Sequence, residues 1–187
     1  MAALTRAQIL VLRALVTGDP TINGQIGVAD QPILDYFNAN TTFQVWRPTT
    51  PVSEIQDAVI WANFTPANPG AGAGQDFANW ALACQGKQFN LQNLLQAGAG
   101  FGGGISTNRA NIRAGLQDCC TLIPSGTNGN LKSGGWTTIQ LIIQRPATKA
   151  EQALATGTGT TVAPGDLGWD GKITSNDLYF ILGRDGN

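Results

Sequence analysis

The chain has 187 residues, a net charge of −1 and no histidine; 42% of its residues are hydrophobic and only 12% are charged. That length holds a domain with a substantial core, while the charge fraction is about half the usual ~25%. Lack of histidine excludes Ser-His-Asp and Cys-His catalysis and the commonest zinc ligand, and 11 Lys+Arg against 12 Asp+Glu leave no basic stripe for broad nucleic-acid neutralisation.

"MAALTRAQILVLRALVTGD" reads as an amphipathic helix rather than a signal peptide. Thr5 and Gln8 form a T-x-x-Q capping box, Ile9, Leu12 and Val16 share a face, and Gly18-Asp19-Pro20 ends the helix. No run reaches membrane-spanning length, so a cytoplasm, or a particle assembled there, is the expected location. A second short helix is expected around Ile33, Leu34, Tyr36 and Phe37. "TTFQVWRPTTP" is extended, because Pro48 and Pro51 bar regular helix. Ser53 and Gln56 form a further capping box, with Glu54 and Asp57 at the positive end of the helix and Ile55, Val59 and Ala62 along one face.

"TPANPGAGAG" breaks the chain, and "QDFANWALAC" resumes as a helix carrying Phe77, Trp80, Leu82 and Cys84. "AGAGFGGG" is a loop. "STNRANIRAGLQDCCTLI" gives a helix on Ile112, Leu116, Cys120 and Ile123, ended by "PSGTNGN". "WTTIQLIIQ" fits helix or strand equally. Thr148 and Glu151 make another capping box, for a helix that Gly157 would end. "TGTGTTVAPG" is a loop or an extended arm. The expected fold is mainly α: a single helical domain of about six helices with extended arms and a short C-terminal β-hairpin. Residues 1–157 form its helical body, and residues 158–187 add arm, hairpin and terminal helix to the same domain.

Cys84, Cys119 and Cys120 are too few and too irregular for a disulfide framework or a zinc site. Adjacent Cys119 and Cys120 are not expected both to face inward; Cys120 reads as buried and reduced, and an intersubunit disulfide through Cys84 or Cys119 stays open. The Gly-rich runs do not lead into the Lys-Ser/Thr pair of a phosphate loop, and there is no G-x-S-x-G. The expectation is a protein without catalytic residues or cofactor. Arg109 and Arg113 lie one helical turn apart, either facing a partner's carboxylates or phosphate, or simply solvated. Trp46, beside Arg47, is an interface anchor or a core residue. Trp61 and Trp80 are expected in the core.

"GDLGWDGKITSND" poses a separate question. Counted from Asp166 it places Asp170 at position 5, Gly171 at 6, Ile173 at 8 and Asp177 at 12, close to an EF-hand or dockerin half-site. Gly168 at position 3 offers no side-chain oxygen, and the segment occurs once. The competing expectation is a type I′ hairpin at Asp170-Gly171, with Leu167 and Ile173 on short strands. Thr174 then caps a final helix that has Asp177 at its third position. The hairpin leaves Asp166 unexplained. No metal is expected, and calcium on Asp166, Asp170 and Asp177 is the rival.

"FQVWRPTTPVSEI", "NRANIRAGLQD" and "RPATKAEQALATGTGTTVAP…WDGKITSNDLYFIL" resemble a family of small, mostly uncharacterised tailed-bacteriophage proteins, with "ATKAEQALATGTGTT" the distinctive piece. The resemblance implies a structural gene product of the virion with no catalytic residues to carry over. Its best match in role is a head–tail connector or neck ring subunit, with a capsid decoration protein as the nearest rival and a calcium-stabilised binding module as the rival from another class. The implied partners are copies of itself in a ring and the portal, tail or capsid proteins of the same virion, without membrane or specific nucleic-acid recognition. Trp46, Arg47, Arg109, Arg113 and the arm residues Thr158, Thr160 and Thr161 are the expected contacts.

Overall fold

The computed structural model describes residues 3–66, 77–99, 103–124 and 131–185. Most of the expected breaks "TPANPGAGAG" and "PSGTNGN", the centre of "AGAGFGGG" and the side chain of Phe77 lie outside the described residues. The fold is mainly α. In chain order come α1 (Arg6–Gly18), α2 (Pro20–Asn23), α3 (Gln31–Asn38), β1 (Asn40–Trp46), β2 (Thr50–Pro51), α4 (Val52–Ala58) and a 3₁₀ turn (Trp61–Phe64). They are followed by α5 (Phe77–Ala99), β3 (Gly104–Ile105), α6 (Ala110–Cys120), α7 (Trp136–Ile142), β4 (Gln144–Thr148), α8 (Lys149–Leu154) and α9 (Ser175–Ile181). Among the described residues, no helix is long and apolar enough to cross a membrane.

The chain divides into two compact units. One combines residues 1–46 with 144–187, and the other is the continuous stretch 47–143. This division falls elsewhere than the expected boundary between residues 157 and 158, because the two ends of the chain share one core.

In the first unit, Leu12, Val16, Ile33, Phe37, Ala150, Trp169, Ile173, Leu178 and Ile181 pack into a buried cluster. Full burial of each large member contributes about 1.5–3 kcal/mol. The capping boxes at Thr5/Gln8 and Thr148/Glu151 form as the spacing predicts. Arg13 in α1 donates to the carbonyls of Phe180 (2.9 Å) and Ile181 (2.7 Å), satisfying groups that the end of α9 leaves open. β1 pairs antiparallel with β4, Val45 opposite Arg145.

The other edge of β1 is taken by the segment expected to be an arm. Gln44 N–H donates to Gly159 O at 2.7 Å, Gly165 N–H to Gln44 O at 2.8 Å and Trp46 N–H to Gly165 O at 3.2 Å. "TGTGTTVAPG" is therefore a loop folded back along a strand. Gly159 makes this approach workable: its φ is +65°, and a Cβ there would run into the ring of Phe43. α8 ends at Leu154, short of the stop expected at Gly157.

In the second unit, α5 buries Trp80, Cys84, Leu91 and Leu95, and α6 buries Leu116, Cys119 and Cys120. Both adjacent cysteines are thus inside, contrary to the single-face expectation, because α6 is packed by α5 and by α7. The Ser53/Gln56 capping box does not form. β2 pairs with β3, Val52 N–H donates to Gly103 O at 2.9 Å, and the helix starts behind Pro51 without a side-chain cap. Ala62 falls in the 3₁₀ turn and is exposed, off the face expected to carry it. Trp80 is buried as expected, but Trp61 stands at the surface, its indole N–H donating to Gln56 O at 3.1 Å. "WTTIQLIIQ" resolves into both alternatives, a helix through Ile142 and then a strand from Gln144.

Candidate functional site

The calcium-like segment is held by polar contacts from distant parts of the first unit. Asp166 exchanges two backbone hydrogen bonds with Thr156 (2.9 and 3.0 Å). Gly168 passes so close to the carbonyl of Leu154 that a Cβ would collide with it, and its own carbonyl accepts from Gln8 Nε2 at 2.9 Å. Asp170 Oδ1 accepts from Arg145 at 2.7 Å, and Gly171 N–H donates to Glu151 Oε1 at 3.2 Å. Asn38 then receives Ile173 N–H (2.8 Å) and donates to Ile173 O (2.9 Å). Thr174 and Asp177 complete a reciprocal capping box at the start of α9, as expected.

No hairpin forms here. Leu167 and Ile173 lie on no strand, because Asp170 and Gly171 are drawn onto Arg145 and Glu151 instead of turning back on each other. Nor do the carboxylates converge: Asp170 serves Arg145 and Asp177 serves Thr174. Among the described residues, no group of three His, Cys, Asp or Glu is placed to hold a metal ion.

Glu151 is the hub of this arrangement, and only 2% of it is exposed. Its carboxylate accepts two bonds from Arg145 (2.7 and 2.8 Å), one from Thr148 N–H (2.9 Å) and one from Gly171 N–H. Burial pushes its pKa up, but Arg145's hydrogen bonds, the Thr148 amide, the guanidinium charge and the Gly171 amide together hold it below the ordinary range. The same pairing raises the pKa of Arg145. A buried ion pair of this kind holds only because its remaining lone pairs are satisfied. The capping box was legible in the sequence. The contributions of Arg145 and Asn38 were not, since neither is near the segment in the chain.

The expected contact residues separate into two groups. Arg47 is turned inward: its guanidinium pairs with both carboxylate oxygens of Glu54 and donates to Ile142 O at 3.0 Å, while its carbonyl accepts from Thr107 Oγ1 at 2.7 Å. The buried hydroxyls of Thr50 and Thr107 meet at 2.8 Å beside it. Arg113 folds back onto the carbonyls of Thr107 (3.2 Å) and Asn108 (2.6 Å), so it fastens the loop before its own helix. Trp46 is half-buried at the end of β1.

Arg109 is exposed at the N-cap of α6 and lines a cleft of about 430 Å³ with Leu94, Ala97, Ile105, Ser106 and Ile112. Thr158, Thr160 and Thr161 are exposed on the folded-back loop. Thr158 donates to Ala163 O at 3.1 Å, Thr160 Oγ1 accepts from Ala163 N–H at 3.0 Å, and Thr161 O accepts from Gln144 at 3.2 Å. The loop therefore has a fixed shape, with Val162 82% exposed at its tip.

The thiols are buried. Cys84 Sγ donates to Phe64 O at 2.8 Å, burial and then the Asp118 charge raise Cys119, and burial pushes Cys120 up to about 12. An intersubunit disulfide needs an accessible thiolate, which neither Cys84 nor Cys119 presents. No protein-family model, curated protein or solved structure matches the chain.

Proposed function

We propose that this chain is a structural subunit of a tailed-phage virion, a head–tail connector or neck ring protein that works by protein–protein assembly rather than turnover. The observation that carries the assembly reading is large apolar surface at low charge. Leu82 and Phe89, seven residues apart on one side of α5, are 67% and 62% exposed. The sequence resemblance carries the virion reading. Residues of its last segment, Arg145, Thr148, Glu151, Asp170 and Asp177, are committed to fastening the chain's own loops, as suits a structural part.

Contacts with neighbours would be made by preformed features. Arg109 offers a cation over an apolar cleft, which fits a carboxylate beside an apolar side chain. The Thr158–Val162 loop offers a rigid projection, which fits a groove on a portal, tail or capsid protein. Head-to-tail contacts between copies close into a ring when their rotation closes. The test is mass spectrometry of purified virions, with tailless heads and free tails fractionated separately. The chain should be stoichiometric in the joined particle and at the head–tail joint. Its absence from every particle fraction would overturn the proposal.

A further inference from the structure

α1 is amphipathic, yet its outward side also carries apolar residues. Leu12 and Val16 are fully buried in the core, yet Ala7, Leu10, Val11 and Ala14 form an exposed stripe at helical spacing, with Leu10 52% exposed. A contiguous exposed apolar stripe marks an interaction surface. The stripe continues onto neighbouring elements. Phe180 stands beside Ile9 and Leu10 around a cleft of about 280 Å³ that Arg6, Arg13 and Asp185 also line. At the other end of α1, Ala14, Leu15, Gly18, Pro20 and Tyr36 line a shallow cleft of about 470 Å³.

We propose that this face joins two copies of the chain, α1 packing antiparallel on α1 of the partner copy about a two-fold axis. The pattern is self-complementary. Turning a second α1 end for end about its middle sets Arg6 of one copy against Asp19 of the other, Ala7 against Gly18 and Val11 against Ala14. Each end then meets the opposite charge, Asp19 keeping its bonds to the Thr21 and Ile22 amides at the start of α2, and Arg6 lies at the negative end of the partner helix. The bulky Leu10 of each copy enters the other's Ala14–Gly18 cleft, where a Cβ added at Gly18 would meet nothing within 4 Å. An isologous contact requires this reciprocity of large against small and plus against minus. Arg13 does not compete, since its guanidinium is occupied at the end of α9. The contact does not depend on the virion reading: a chain absent from virions would still pair through α1.

The experiment is the solution mass of the full chain by light scattering, with far-UV circular dichroism to check folding. Wild type should be a dimer, or a larger assembly built from dimers. Leu10→Glu and Ala14→Glu should each lower the mass at least twofold with unchanged helicity. A mixture of V11C and A14C proteins should form a disulfide-linked dimer faster than either alone, the native thiols being buried. The cross-link decides the matter where a glutamate variant fails to fold. A wild-type monomer at high concentration, an unchanged mass in both folded glutamate variants, or no preference for the mixed cross-link would overturn the contact.

Discussion

Glu151 carries a full negative charge in a site almost closed to water, and four donated hydrogen bonds make that tolerable. Glu151→Ala leaves Thr148 N–H and Gly171 N–H without their acceptor and Arg145 with Asp170 as its remaining carboxylate. Breaking a buried pair from one side costs about 3–5 kcal/mol, and because Arg145 is partly exposed and keeps Asp170, urea unfolding should show a loss at or below the lower end of that range. The charge also has a pH signature. Its folded pKa lies below its unfolded value near 4.5, so its contribution is fully present above that value and is lost as pH falls through the folded pKa. Wild type should therefore weaken in acid below about pH 4.5, and Glu151→Ala should show a smaller acid dependence there. Equal acid dependence in both proteins would remove Glu151 as the group responsible.

Among the elements, those written in local chemistry were legible in advance. The caps at Thr5, Thr148 and Thr174 each need only a hydroxyl and a partner three residues on, and all three form. Ser53 has the same local signature, but pairing of β2 with β3 places the helix start elsewhere, and nothing near Ser53 announces that pairing. The missing hairpin has a similar cause. Asp170-Gly171 is a good turn in isolation, yet Arg145 lies 25 residues away and claims the aspartate. Thr158 to Gly165 looked like an arm because its partner strand is more than 100 residues distant. Gly168 marks the same limit: it lacks the oxygen a calcium loop wants, and the reason is contact with the Leu154 carbonyl. Gly168→Ala should destabilise by about 1–3 kcal/mol through overpacking, read as a lower urea midpoint. An unchanged midpoint would mean that the close passage does not constrain this turn.

At the scale of the whole chain, the first unit is assembled from both ends and the second from one continuous stretch. The core of the first unit takes Leu12, Val16, Ile33 and Phe37 from one end and Trp169, Ile173, Leu178 and Ile181 from the other. A fragment of residues 47–143 should keep cooperative unfolding and dispersed amide resonances. A fragment of residues 1–46 should be unfolded alone, because half of its core is missing. A collapsed, non-cooperative 47–143 fragment would show that this stretch depends on the rest of the chain.

Much of the fold's polar chemistry is spent on holding loops in place, while apolar side chains and Arg109 are left outward. That distribution suits the proposed assembly subunit; the proposed place at the joint between head and tail rests on the sequence resemblance. The most direct measurement is a cryo-electron microscopy map of the intact virion. Density for the two helical units should repeat around the axis where head meets tail. Density for this chain only on the capsid shell, or its absence from the particle with the protein recovered as a free monomer, would contradict it.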